Sequence, residues 1–510
     1  MTGSMKMIVR KSDRISETMN VGVRGFSGEN LSSKDNRLQK TYKRCIHNKT
    51  GNLHNGWIIV SISGTSFERG YSHGKKLYKE LRKVVRYLPF LVKTDFQTTL
   101  DEYVNRCARI FETILRSQYR EYYEELEGIH KGALSMGVNI SVKTLIAWNA
   151  FLSMYGEYEK GTSENIANDI RKPPLGRCSA FIATGNATEK GDIVMGHNTH
   201  CNYALAALSN IILYVYPDKG HAFCMQTCAG LLCSSMDWFV CDNGIVGCET
   251  TIYGIKYKPV FGSPYFCRIR DCMQYRNSLD EYADTMLLSN AGDYACSWLF
   301  GDTRTGEIML CEIGLTRHNI QKTKNGAFYG MNSAIDDSLR RLETTDAFHD
   351  TIQHSIGARN ERFNQLIFNK YKSRINITNA KHILADHYDI FEDRIHPGIR
   401  TICKHTELSN DSIINKPYYP HGAIDGKVIN TAMARDMSFW GKFGSSCHIP
   451  FRKCDYLAKH PDYAEWRPFL ADLPDQPWTR VLPVEVYKHC KTTRRRKSFV
   501  GSTGIPDKRP

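Results

Sequence analysis

Apolar and polar positions divide the chain into four stretches. Residues 1–55 have no periodicity and are rich in Ser, Lys, Arg and Asn, which predicts an arm with little structure of its own. Trp57 to Ser63 is an apolar run read as a strand, broken by Gly64-Thr65-Ser66, with Ser66 placed to cap a helix. Residues 67–155 then read as mainly helical. Val104, Ala108, Phe111, Leu115, Tyr119, Tyr122, Leu126 and Ile129 recur at helical spacing and predict a single apolar face.

The period changes after residue 160. Gly161, Ser163, Asn165, Asn168, Pro173 and Pro174 make residues 160–177 a polar, breaker-rich linker, exposed and open to cutting. Short apolar segments follow in succession: one from Cys178, then Asp192–Gly196, Asn210–Tyr216, Ala222–Thr227, Asp237–Val240 and Gly244–Thr251. Ser297–Phe300 and Ile308–Ile313 flank Thr305-Gly306 and read as a hairpin. Residues 345–390 read as mostly helical, and the C-terminal part, with Trp440, Trp466 and Trp478, as a wrap over the core. The divisions are therefore a basic arm (1–55), a helical segment (56–159), a linker (160–177), a core with its wrap (178–485) and a basic tail (486–510).

Composition changes this picture little. A chain of 510 residues with 41% hydrophobic and 24% charged residues has the balance of a soluble globular protein. No apolar run approaches the ~20 residues that cross a bilayer, and no leader peptide is read at the N-terminus; the compartment is left open. The net charge of +15 is concentrated partly at the ends, as in Arg494-Arg495-Arg496-Lys497. These ends are expected to give at most weak contact with anionic surfaces, and nothing interleaves aromatic with basic residues as a nucleic-acid groove does. The 17 cysteines include no Cys-x-x-Cys pair, so no structural zinc and no cofactor are expected from spacing.

One cysteine has a distinctive setting. Cys178 follows the linker directly and opens a strand, the layout of a nucleophile exposed by cutting the bond before it. The α-amine released by such a cut has an ordinary pKa of about 7.7–8.0 against about 8.5 for a thiol, so the two can exchange a proton near neutrality.

From Gly176 onward the chain resembles the phospholipase B-like family and its kin, the autoproteolytic acyltransferases related to penicillin-side-chain acyltransferase. The matching pieces are Arg177-Cys178-Ser179-Ala180, Gly196-His197-Asn198-Thr199, Gln226-Thr227-Cys228-Ala229-Gly230 with Asp237-Trp238-Phe239, and Glu249-Thr250-Thr251. Further on come Ser289-Asn290-Ala291-Gly292, Gly301 to Glu307 and Gly422 to Val428, while Gly64 to Gly70 lies upstream. The resemblance implies an α+β, four-layer αββα sandwich of the N-terminal-nucleophile kind, self-cleaved between Arg177 and Cys178, whose N-terminal fragment stays bound. It implies hydrolysis of a linear amide or ester, on a lipid or acylated small molecule, through an acyl-Cys178 intermediate. An acyltransferase of the same fold, or a non-catalytic binding descendant, are its alternatives. His197 would then orient the amine or hydrogen-bond the thiolate. Asn198 and Asn290 would supply the oxyanion hole, Thr250 would hold the substrate or the amine, and Arg400 would anchor an acidic group. His200 stands where the family has other residues, so substrate choice does not carry over.

Overall fold

The computed structural model describes residues 53–158, 177–345, 348–410 and 416–483. The expectations for the arm up to residue 52, for the linker up to residue 176 and for the basic tail lie outside the described residues; the arm's last residues carry a short strand, Leu53–His54.

Strands β1 (Leu53–His54) and β2 (Trp57–Gly64) precede the helices Ser66–Lys76, Tyr78–Phe96, Leu100–Gln118, Arg120–Leu134, Val142–Asn149 and the turn Tyr155–Tyr158. Then come β3 (Cys178–Gly185), β4 (Gly191–Asn202), β5 (Ile211–Pro217), β6 (Phe223–Thr227), β7 (Trp238–Cys241) and β8 (Ile245–Thr251). Helices Tyr265–Tyr275 and Leu279–Leu287 lead to β9 (Cys296–Asp302), β10 (Glu307–Ile313), β11 (His318–Thr323) and β12 (Gly326–Gly330). After helices Ser355–Asn364 and Ile377–Leu384 the chain adds β13 (Tyr388–Asp389), β14 (Arg394–Ile395), β15 (His421–Ala423), β16 (Asp425–Asn430), β17 (Phe439–Phe443) and β18 (Thr479–Val481).

One sheet has nine strands in the order β1-β2-β5-β6-β7-β8-β9-β10-β11, and the other runs β12-β3-β4-β16-β17-β18 with β15 also paired to β4. Among the described residues all their pairings are antiparallel except β2 with β5. The sheets face one another: a Cβ on Gly301 of β9 would lie 2.9 Å from Ile182 of β3. Strand alternation sends Ala180 and Ile182 into this inter-sheet core, and Phe181 and Ala183 into a second core under Phe363, Leu366, Ile383 and Leu384. A strand buried on both faces reads as an unbroken apolar run, as the segment after Cys178 does. The N-terminal helices and Tyr265–Leu287 cover the outer face of the nine-stranded sheet. The result is an α+β, four-layer αββα sandwich.

The strand expected at Trp57–Ser63 is β2, and it lies inside the nine-stranded sheet. Two expectations need correction. The apolar face from Val104 to Ile129 belongs to two helices: Tyr119 has φ −126° and ψ 45°, which ends the first and starts the second. And β4 runs on to Asn202 through the polar residues after Gly196, because β3, β15 and β16 supply ladder partners for them.

Helices Ser66–Lys76 and Arg120–Leu134 cross at backbone contact through Gly70, Gly74, Gly128 and Gly132. A Cβ at Gly132 would stand 2.1 Å from Tyr71 O, and one at Gly70 2.1 Å from Glu125 O. Gly132→Ala is therefore expected to cost about 1–3 kcal/mol in denaturant unfolding, since backbone on the opposing helix has to move. An unchanged midpoint would show that this crossing is loose.

Candidate active site

Cys178 is the first residue of β3, opposite Thr199 of β4. Its backbone is held by groups from two other segments. Cys178 N–H donates to Asn332 Oδ1 at 3.3 Å, and Cys178 O accepts from Arg359 Nη1 at 2.6 Å. Arg359 also donates to Ser179 Oγ (3.2 Å), to Asn332 Oδ1 (2.9 Å) and to Ser355 O (3.0 Å), all neutral acceptors. Asn332 Nδ2 in turn donates to Thr251 O at 3.0 Å. Asn332 sits at φ 80° and Asp237 at φ 55°. Both residues beside the cysteine thus occupy left-handed backbone, which Asn and Asp tolerate better than most side chains.

The thiol faces acid and base groups. Sγ lies 3.8 Å from Asp237 Oδ2, and donor atoms of Cys178, His197 and Asp237 fall within 4.8 Å of one another. His197 Nε2 is 2.9 Å from Glu249 O. A carbonyl only accepts, so Nε2 carries the proton and Nδ1 has the free lone pair; Nδ1 is buried with no partner among the described residues. Burial, then nearby Lys427, pushes the imidazole pKa well down, so it is a neutral base. Burial, reinforced by Asp237 and Glu249, pushes the Cys178 thiol well up. Asp237 and Glu249 are themselves raised, chiefly by burial, and each has an oxygen with no other donor among the described residues. Two buried carboxylates in this relation share a proton.

Sharing has a consequence for stability. Each carboxyl is raised in the folded state, so its stabilising contribution is complete below the ordinary carboxylate value and is lost as pH rises through the raised range. Relative to Asp237→Asn, the wild type should lose about 1.4 kcal/mol per pH unit between the ordinary Asp value of 3.8 and the raised value of about 7, and no more above it. Urea unfolding of both proteins across pH checks this; parallel pH profiles would exclude the shared proton.

The bond before the cysteine is also held. His200 N–H donates to Arg177 O, while both nitrogens of the His200 ring are buried without partners among the described residues. The Arg177 guanidinium packs 3.9 Å from the centre of the Tyr155 ring. A cavity of about 40 Å³ lies against Cys178, Asp237, His200, Tyr265 and Arg177. That is room for water and not for an acyl chain. A vestibule of about 440 Å³ shares Arg177, His200, Leu205 and Tyr294 with it and continues past Tyr253, Ile255, Tyr419 and Lys416.

The residues singled out from the sequence divide in two. Cys178 and His197 come together. Thr250 is buried, its hydroxyl without a partner among the described residues and facing Gly330, where a Cβ would lie 2.3 Å from its Oγ1. Asn198 and Asn290 are corrected as oxyanion donors. Asn198 Nδ2 is spent on Leu384 O (2.7 Å) and Ile402 O (3.3 Å), because strand alternation turns it toward the outer helices. Asn290 Nδ2 is spent on Gly314 O (2.7 Å) and Leu315 O (3.1 Å), fastening a loop. Arg400 is corrected as well: it is buried on Asp389 at 2.8 Å and Glu392 at 2.8 Å. Asp389, Glu392 and His396 have donor atoms spaced as for a cation, yet the two carboxylates are already paired with arginines. Sequence reasoning assigned no role to Asp237, Glu249, Asn332 or Arg359. Asp237 and Glu249 lay inside quoted motifs, and nothing in the local pattern marks Asn332 or Arg359.

No family model matches this sequence. Over 279 residues the chain is 23% identical to an uncharacterized protein of Archaeoglobus fulgidus, a match covering 52% of this chain and 44% of that protein, less than half its length. Among solved structures it is similar to two of conjugated bile acid hydrolase from Clostridium perfringens, each carrying a point substitution. One matches at 9% identity and the other at 10%, each over 52% of this chain and 89% of the other, with TM-score 0.32.

Proposed function

We propose that this chain is a self-processing cysteine hydrolase that cuts a linear amide or ester through an acyl-Cys178 intermediate, with a phospholipase B-like range of acyl substrates. The observation that carries the reading is the pairing of Arg177 O on His200 N–H with the following thiol, whose sulfur lies within 4.8 Å of a ring nitrogen of the neutral His197. In the first step Sγ bonds to the Arg177 carbonyl carbon as His197 Nδ1 takes the thiol proton, and His200 N–H stabilises the oxygen that gains charge. The carbon–nitrogen bond then breaks, the proton passes to the departing nitrogen, and a thioester remains. Water opens it, leaving a carboxylate on Arg177 and a free thiol and amine on Cys178. Asn332 Oδ1, which already accepts from that nitrogen, is placed to hold the amine as general base.

Cleavage also explains how a substrate would enter. Arg177 lines both the inner cavity and the vestibule, so its withdrawal joins them. The combined space is walled by aromatic rings and apolar side chains, with Lys416, Asp95 and Asp293 among its polar groups, which suits an acyl chain bearing a polar head.

Intact mass measurement, with labelling by a cyanobenzothiazole selective for N-terminal cysteine, tests the reading. A break between Arg177 and Cys178 and a labelled Cys178 are expected; an unbroken, unlabelled chain under conditions of full folding overturns it. The two pieces should co-elute without denaturant, because β2 sits between β1 and β5. His197→Ala should slow self-cleavage by about 10²–10⁴-fold with little change in unfolding midpoint. Equal loss of folding would make the residue a structural one. Lysophospholipids, N-acyl amino acids and acylated peptides, offered to cleaved protein, would identify the substrate.

A further inference from the structure

A second cluster of reactive side chains lies away from Cys178. His387 follows helix Ile377–Leu384, Cys403 and His405 lie one residue apart just before the turn Thr406–Leu408, and Cys447 sits in the loop after β17. Donor atoms of all four fall within 4.8 Å of one another. Cys403 and His405 are buried, while His387 and Cys447 are half-buried, which leaves a path from solvent. We propose that these residues form a Cys₂His₂ site for a structural zinc ion.

The geometry around His405 carries the argument. Its Nδ1 is 2.7 Å from Glu407 Oε1, so with the carboxylate accepting, Nδ1 bears a proton and Nε2 is the nitrogen turned to the sulfurs. Nε2 faces two of them, Cys403 Sγ at 3.6 Å and Cys447 Sγ at 3.2 Å. One N···S pair makes one hydrogen bond, whichever side holds the proton, so the second sulfur converging on it is surplus to that bond. The two sulfurs suit a cation. Zinc bonds of about 2.3 Å to sulfur and 2.0–2.1 Å to nitrogen place tetrahedral S and N donors roughly 3.6 Å apart. The fourth donor, His387, has a buried Nε2 with no hydrogen-bond partner among the described residues, and its ring centre is 5.2 Å from that of His405. A carboxylate on the far nitrogen of a ligating histidine fixes its tautomer and raises its basicity, which is the place Glu407 takes. Ile449 N–H points at Cys447 Sγ from 3.5 Å, a further donor to a thiolate.

The site lacks a sequence signature because its ligands come from three separate segments, with only Cys403-x-His405 local. It would fasten a stretch whose regular elements are short: β13, β14, the turn Thr406–Leu408 and β15. His405 bridges to Gly422, and β15 pairs with β4 from His200 to Asn202. A metal clamp here would hold Tyr419, His421 and Ile399, which wall the vestibule. Binding displaces the two thiol protons to solvent and forms two zinc–sulfur and two zinc–nitrogen bonds.

The test is elemental analysis of full-length protein prepared without chelator and dialysed against metal-free buffer. About one zinc per chain is expected, retained by Cys178→Ser and lost by Cys403→Ser and Cys447→Ser. Cobalt(II) put in place of zinc should give thiolate-to-metal charge-transfer absorption and tetrahedral visible bands. Should the cysteine variants fail to fold, the Cys178→Ser protein itself decides: a mercurial reagent should release its zinc, and a chelator should lower its melting temperature reversibly. Zinc below a tenth of an equivalent with no cobalt charge-transfer band overturns the proposal, as does a Cys403–Cys447 disulfide in the peptide map or full zinc in Cys447→Ser. Because the four ligands do not include Cys178, zinc in Cys178→Ser reads the site whether or not that chain is cut, and failure here leaves the hydrolase reading untouched.

Discussion

Cys178→Ala yields a chain that folds normally, stays joined at Arg177, and turns over no substrate above the uncatalysed rate. The expected loss is at least about 10⁴-fold, because the nucleophile and the amine that would serve it disappear together. Folding is expected to survive because only one sulfur is deleted from a strand whose backbone partners, Asn332 and Arg359, bond to main-chain atoms the variant retains. Cys178→Ser separates the two losses. Its oxygen can attack the same carbonyl, so slow cleavage with strongly reduced turnover is expected. Intact mass and a turnover assay on the same preparations decide the matter. A cut Cys178→Ala chain would mean that an outside protease makes the break, and an active one would remove the cysteine from the chemistry.

What the sequence revealed follows from which interactions are local. The strands from Cys178 to Thr251 were legible because each is short, apolar and bounded by turn residues, and they lie where the apolar runs place them. The end of β4 was not, since His197 to Asn202 look like a polar loop until β15 and β16 pair with them. Cys178 stood out through the contrast between a breaker-rich linker and the strand it opens. Asn198 and Asn290 were misassigned for a related reason: a motif fixes a residue type at a position, whereas an oxyanion donor needs a free N–H pointing at the site. Both amides give their hydrogens to carbonyls elsewhere. Arg400 matched a late motif, yet its charge is absorbed by Asp389 and Glu392. Asn332 and Arg359 stand 154 and 181 residues from Cys178, and only the closed sandwich brings them to it.

Arg359→Met should abolish self-cleavage and lower stability by about 2–5 kcal/mol, the cost of orphaning buried acceptors. The guanidinium is fully buried, and burial pulls its pKa down to about 9, which still leaves it charged at neutral pH. Its acceptors are neutral oxygens, so the cost of burying that charge is met by hydrogen bonds alone. A cation kept under those terms is explained by what it fixes. One fork holds Cys178 O and Asn332 Oδ1 together, and so sets the direction of the Cys178 nitrogen and of the Sγ that must reach Arg177. Arg359→Lys keeps a charge and loses the planar fork, so it should fold better than Arg359→Met yet cleave far more slowly than wild type. Time courses of intact mass beside urea unfolding separate these effects. If Arg359→Lys cleaves at the wild-type rate, the arginine only fills and fastens the core, and the aim of the sulfur is set by β3 and β4 without it.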